Sequence, residues 1–299
     1  VLFGHSPILT APDCERQSYF MSKSYIMDSE PIPDRATLGK RCVLITGAAG
    51  RIGRPLVELV HERYDLRLIV RREKDRADLE PFGEVIVGDI SRDGTIRNAC
   101  EDIDTVVHLA ADPSAHASWE SLHPNNIVAA YNTFQAAVEA RCRRIVFASS
   151  VHAVSGYPKG YQVHSEDPVN PGDLYGVSKC FGEAMARYVA VQKGLSAIVL
   201  RIGAYQSRDE ARKSGKVGMM GLFLSHRDTN QLICRAIEDN RLRFAIVHAL
   251  SDNLFNRMDI TEARELLNYD PQDDFTQMNP RVSDLNLERN VQPHDSRHT

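Results

Sequence analysis

Short, mostly apolar runs punctuate the middle of the chain at residues 42–46, 66–70, 84–88, 105–110, 144–148 and 197–202. Their length suits strands, and their near-continuous apolar character suits strands covered on both faces. The stretches between them are long enough for crossover helices, notably Asn126 to Ala140 and Tyr175 to Gln192. Strand and helix in alternation predict an α/β fold with a doubly wound parallel sheet. The sheet domain is expected over residues 40–203, followed by a small substrate lobe over 204–272. A further run, Phe244-Ala245-Ile246-Val247, is expected to be a strand of that lobe, near 244–250. The flanks lack any sustained period. Residues 1–39 carry Pro7, Pro12, Pro31 and Pro33 among mixed charges and are expected to be an unstructured extension; residues 273–299 are polar and expected to fray.

Composition narrows the class. With 42% hydrophobic and 25% charged residues in 299, the chain can build a sizeable core. A net charge of −4 gives no global pull toward nucleic acid or an anionic membrane. No apolar run approaches the ~18–20 residues of a membrane-spanning helix. The chain starts with Val and lacks a basic segment leading into an apolar one, so no secretory signal is read. Asp13, Glu15, Asp28, Glu30 and Asp34 argue against a mitochondrial presequence. Cys14, Cys42, Cys100, Cys142, Cys180 and Cys234 form no C-x-x-C pair or Cys/His cluster. They read as small core residues of a reducing, cytoplasmic compartment, with no metal site.

Two motifs carry chemistry. Gly47-Ala48-Ala49-Gly50-Arg51-Ile52-Gly53 follows the first of these strands and opens the helical stretch from Pro55 to Val60. Glycines there let the backbone turn and approach a pyrophosphate, whose charge sits among free N–H groups at the helix start. Pro55 fits a first helical turn, where no N–H partner is lost. The second motif is Tyr175-Gly176-Val177-Ser178-Lys179, preceded by Ser150 at the end of an apolar strand. Residues i and i+4 share a helix face, so an ammonium is placed beside a phenol. That neighbour is expected to draw the Tyr175 pKa down from about 10 toward the range of a general base.

Together these residues resemble the extended short-chain dehydrogenase/reductase superfamily, from about residue 41 to 270. The blocks Arg144–Ser150, Leu174–Glu183, Arg201-Ile202-Gly203 and Leu224–Asp228 look like the uronate dehydrogenases. The resemblance implies a Rossmann fold, NAD(P) as cofactor and hydride transfer at a sugar or sugar-acid hydroxyl. Tyr175 would take the proton, Lys179 would lower its pKa and hold the nicotinamide ribose, and Ser150 would hydrogen-bond the reacting oxygen. It also implies cofactor contacts at Gly47, Gly50, Arg51, Ile52, Gly53, Leu109, Ala110, Ala111 and Ile202. Asp89-Ile90 matches the pair beside the adenine; a turn or helix-cap aspartate is the plainer reading of Asp89. His108 reads as a packed strand residue, and Asn126 matches a structural asparagine that supports the site. Val70 stands where these relatives carry a ribose-gripping Asp, and Arg71 and Arg72 follow. Two forked cations favour NADP over NAD. The alternative leaves both solvated, with Glu73 on the ribose.

For the substrate, the resemblance implicates His152 and Ser114 beside Ser150 and Tyr175. Val151, Ala204 and Gly218 replace the family's Asn, Ser and carboxylate-gripping Arg. Residues 206–217 look rearranged, and Arg208, Arg212, Lys213 or Lys216 could supply the missing charge or could simply be solvated. The family also implies a homodimer built on the helices at Asn126–Ala140 and Tyr175–Gln192. Two other functions remain open. A nucleotide-sugar epimerase would share the motifs but needs a larger lobe. A non-catalytic NAD(P)-binding regulator would have no need of Ser150, Tyr175 and Lys179.

Overall fold

The computed structural model of the protein describes residues 24–32, 39–215 and 217–283, apart from the side chain of Asp93. Its frame is an eight-stranded sheet: β1 (Tyr25–Met27), β2 (Cys42–Thr46), β3 (Asp65–Val70), β4 (Glu84–Val87), β5 (Thr105–His108), β6 (Arg144–Ser150), β7 (Ser196–Ile202) and β10 (Leu242–Ala249). The spatial order is β1-β10-β7-β6-β5-β2-β3-β4. Every pairing is parallel except β1 with β10. β8 (Ala204–Gln206) and β9 (Phe223–Ser225) form a separate parallel pair.

Helices cover both faces of this sheet, giving the Rossmann-like layering that the sequence pattern predicts. One face is packed by the helices Gly53–Val60 and His226–Glu238, through Leu56, Val57, Leu232 and Ile233. The other is packed by Ala129–Glu139 and Leu174–Tyr188, through Ala130, Phe134, Ala137 and Ala186. All seven residues of β6 and of β7 are buried, as central strands covered twice must be. The outward sides of the second helix pair expose Tyr131, Leu174, Val177 and Tyr188.

Three expectations are corrected. The strand around residues 244–250 is not in the lobe: β10 runs parallel to β7, with Phe244 opposite Ala197 and Ala249 opposite Ile202. Its apolar side chains fit a site flanked by β7 and covered on both faces. Residues 24–32, within the expected extension, hold β1, which pairs Ile26 with Phe244 at the sheet edge. An Asp28–Arg243 ion pair at 2.9 Å fastens that strand. Residues 273–283 also pack: Phe275 and Val282 are buried against Phe223 and Ala211. The remaining tail segments, 1–23, 33–38 and 284–299, lie outside the described residues. The five described cysteines are free thiols.

Buried ion pairs lock the central strands. Arg143 meets Asp104 at 3.0 Å, and Arg201 on β7 clasps Glu183 through Nε at 3.0 Å and Nη2 at 2.9 Å. Glu183 also accepts from Ser149 at 2.6 Å, so β6, β7 and the Leu174–Tyr188 helix share one polar knot. Removing one partner of such a pair strands the other charge. Arg201→Met is therefore expected to lower unfolding free energy by about 3–5 kcal/mol in chemical denaturation; a loss under about 1 kcal/mol would refute this account.

Candidate active site

The carboxyl ends of β2, β5, β6 and β7 converge on a cavity of about 900 Å³. Open parallel sheets place their ligands there because the loops after adjacent strands diverge at that edge. One wall comes from the glycine loop after β2. Gly47 has φ +70°, and a side-chain carbon on it would lie 2.9 Å from the Ala110 nitrogen. A Cβ on Gly53 would sit 2.3 Å from the Gly47 carbonyl. The loop therefore folds only without side chains at these points, leaving bare backbone beside the N-terminus of the Gly53–Val60 helix. That surface suits a pyrophosphate. Gly47, Gly50, Arg51, Ile52 and Gly53 all line the cavity. Arg51 reaches across, donating to Glu210 Oε1 at 3.2 Å and to the Tyr205 carbonyl at 3.3 Å.

At the far end, Ser150 closes β6, while Tyr175 and Lys179 lie on successive turns of the Leu174–Tyr188 helix. All three line the cavity with His152, and Tyr175 and Lys179 are buried. Lys179 Nζ donates to the Ala148 carbonyl at 2.8 Å and lies 5.6 Å from the centre of the Tyr175 ring. Burial pulls the Lys179 pKa down to about 8, against the opposing pull of Glu183. Burial pushes Tyr175 up to about 12; the Ser150 hydroxyl works in the other direction, while Asp173 and Asp112 add to the rise. This corrects the expectation of a depressed phenol. Desolvation outweighs the one lowering influence, the Ser150 hydrogen bond. Before ligands bind, Tyr175 is a neutral phenol that can donate or accept a hydrogen bond.

Supporting residues hold the cluster. Asn126 accepts from Asp112 N at 2.8 Å and donates to Ser178 Oγ at 2.9 Å, tying the loop after β5 to the tyrosine helix. His108 packs against Phe147 and lies 2.9 Å from Thr46 Oγ1, with its pKa driven down to about 3 by burial and by Lys179. Both match their structural readings. Sequence reasoning missed Asp173. Its Oδ1 caps the helix by accepting Gly176 N at 2.7 Å, and its Oδ2 lies 2.7 Å from His152 Nδ1. An Asp directly before a helix is a cap signal that could have flagged it. Tyr205, Gln206, Glu210, Lys213 and Met219, in and beside the rearranged segment, were not singled out as cavity walls either, apart from Lys213 as a possible charge.

Other predicted positions lie elsewhere. Leu109, Ala111 and Ile202 line the cavity, whereas Ala110 backs the glycine loop with its N–H directed to Thr46 Oγ1. Arg71, Arg72, Asp89, Ile90 and Ser114 are not among its walls. Arg71 donates to Asn125 and lies 3.7 Å from Asp89, whose Oδ1 accepts from Ser91 N in a turn. Arg72 donates to Asp75 at 2.8 and 3.0 Å. Ile90 is in the core, and Ser114 is exposed, accepting from His116 N. Ala204 lines the cavity; Gly218 does not. Arg208 pairs with Asp273 at 2.9 Å, leaving Lys213 as the cation that the helix Arg208–Lys213 brings to the cavity. Lys216 lies outside the described residues.

Comparison with known proteins agrees with this geometry. The model of the NAD dependent epimerase/dehydratase family matches residues 43–226. An NAD-dependent glucose-6-phosphate dehydrogenase of Haloferax volcanii is 35% identical over 77% of this chain and 93% of its own length. An L-arabinose 1-dehydrogenase (NAD(P)(+)) of the same organism is 33% identical over 77% of this chain and 96% of its own. The crystal structure of uronate dehydrogenase from Agrobacterium tumefaciens superposes with a TM-score of 0.71 at 27% identity, over 87% of this chain and 93% of that one.

The raised phenol is directly measurable. An ordinary tyrosine is half ionised near pH 10. In ultraviolet difference titration of wild type against Tyr175→Phe, no phenolate from Tyr175 is expected at that pH; a half-formed one would overturn the assignment of burial as the dominant effect.

Proposed function

Because the chain belongs to the NAD dependent epimerase/dehydratase family, we propose that it is an NAD(P)-dependent oxidoreductase acting on a hydroxyl of a sugar or sugar acid. The observation that carries this reading is the meeting of a backbone pyrophosphate cradle and the Ser150–Tyr175–Lys179 cluster in one cavity. A bound dinucleotide would supply a hydride acceptor at its nicotinamide ring. Gly47, Gly50 and Gly53 would hold its pyrophosphate, and Lys179 its nicotinamide-side ribose.

The chain's own groups do the proton work. Ser150 donates to the substrate oxygen and sets its position against Tyr175. Tyr175 Oη accepts the hydroxyl proton as the carbon–hydrogen bond breaks, or returns it in the reverse direction. Sealing the cavity strengthens the Lys179 charge as seen by Tyr175, which favours phenolate at the moment of transfer. Tyr175 is raised in the free protein, so the oxidation rate should climb with pH as the phenol ionises. Tyr175→Phe is expected to lower turnover by about 10²–10⁴-fold with dinucleotide binding nearly unchanged. The check is nicotinamide reduction with aldoses, uronates and sugar phosphates beside a binding titration. Full activity in the variant would end this assignment.

Within this reading NADP is favoured over NAD. Val70 is buried at the end of β3 and offers no carboxylate for a ribose 2′-hydroxyl. Arg71 and Arg72 are exposed, and their surface pairs with Asp89 and Asp75 are worth little, so either guanidinium can turn to a 2′-phosphate. The ratio of kcat/KM for the two cofactors should favour NADP and swing toward NAD in Arg71→Ala/Arg72→Ala. A preference for NAD in the wild type would defeat the argument.

A further inference from the structure

The loop Val151–Val154 folds back from Ser150 as a short helical turn, with His152 N donating to Ser150 Oγ at 3.2 Å. That turn brings the His152 ring edge-on to Tyr175, at 5.3 Å between ring centres, inside the cavity. On its other side the ring is held at Nδ1 by Asp173 Oδ2 at 2.7 Å. The same carboxylate caps the tyrosine helix through Oδ1 and Gly176 N. One side chain thus touches both the histidine and the backbone that carries Tyr175. Among the described residues nothing hydrogen-bonds His152 Nε2.

A carboxylate can only accept at Nδ1, so in the neutral ring it selects the form with the proton on Nδ1. Nε2 then carries a lone pair and can accept a hydrogen bond from a ligand hydroxyl. Sugars offer several such donors beside the reacting carbon. Resting on the oxidoreductase reading above, we propose that Asp173 is a positioning residue: it fixes His152 with Nδ1 protonated and presents Nε2 to a substrate hydroxyl next to the one handled by Tyr175. His152 is then the residue that touches substrate, and Asp173 acts through it.

Asp173 also has an electrostatic reach. The groups facing Tyr175 are Asp173 at the helix start, Asp112 from the loop after β5, Ser150 and His152 from the end of β6, and Lys179 one turn along. Asp173 raises the phenol's pKa, so removing its charge lowers that pKa. The pH at which oxidation reaches half its maximum should move down accordingly.

Two substitutions test these effects, and both residues serve as helix caps about as well as Asp. Asp173→Ser keeps a capping hydroxyl but cannot reach His152. It should raise KM for the sugar about tenfold while leaving KM for the dinucleotide unchanged. Asp173→Asn keeps one acceptor oxygen for Gly176 N, so its amide NH2 faces His152 Nδ1 as a donor and reverses the ring form. It should raise KM for the sugar as Asp173→Ser does, and both variants, lacking the charge, should shift the pH profile downward. Nitrogen NMR of His152 tests the geometry without turnover: the Nδ1-protonated form is expected in wild type and is lost in both variants, with the Nε2-protonated form in Asp173→Asn. Unchanged sugar KM and an unchanged His152 ring form in Asp173→Ser would overturn the proposal. Failure of the wild type to reduce a nicotinamide with any carbohydrate would instead strike the oxidoreductase reading, while the NMR comparison would still decide the role of Asp173.

Discussion

A lysine ammonium buried at the end of β6 is the constraint around which the site is built. Lys179 has almost no contact with water, and its proton-bearing nitrogen is satisfied by the Ala148 carbonyl at 2.8 Å. Burying a charge costs several kcal/mol unless partners replace water. Here the replacement is partial, which is why the pKa falls to about 8. The residue is kept near the boundary between charged and neutral. Whatever enters the cavity can shift that balance, and with it the state of Tyr175.

The surrounding structure holds this tension in place. Glu183, one turn beyond Lys179, is clasped by Arg201 on β7 and accepts from Ser149 on β6. Asp173 caps the start of the same helix, and Asn126 ties its Ser178 to the loop after β5. The helix is thus fixed at its start, middle and inner face by polar contacts to three different segments. Side chains presented from so rigid a support keep their spacing, the condition for proton transfer between positioned groups.

The cavity's remaining walls come from the segment after β7. Ser207 and Glu210 form a reciprocal capping box that starts the helix Arg208–Lys213, and Glu210 also meets Arg51 of the glycine loop. Gly218, where the family's carboxylate-binding Arg was expected, is not a cavity wall, whereas this short helix brings Lys213 to it. Relatives that act on a sugar phosphate, a neutral pentose and a uronate share the fold. Variation in such a segment is the physical means by which one scaffold can serve different sugars.

Much of this was legible from the sequence because local rules carry it. Apolar runs marked seven strands of the main sheet, glycine spacing marked the bare-backbone turn after β2, and the four-residue step from Tyr175 to Lys179 put both on one helix face. Those signals are short-range, set by backbone sterics and helical repeat. Three things only the tertiary structure decided. Membership of β10 in the main sheet depends on pairing with β7, more than 40 residues earlier in the chain, which no local pattern encodes. The direction of the Tyr175 shift depends on how far packing removes water from it, so a neighbouring cation alone gave the wrong sign. The partnership of Asp173 with His152, 21 residues apart in sequence, exists only because the turn after β6 folds back onto the start of the helix.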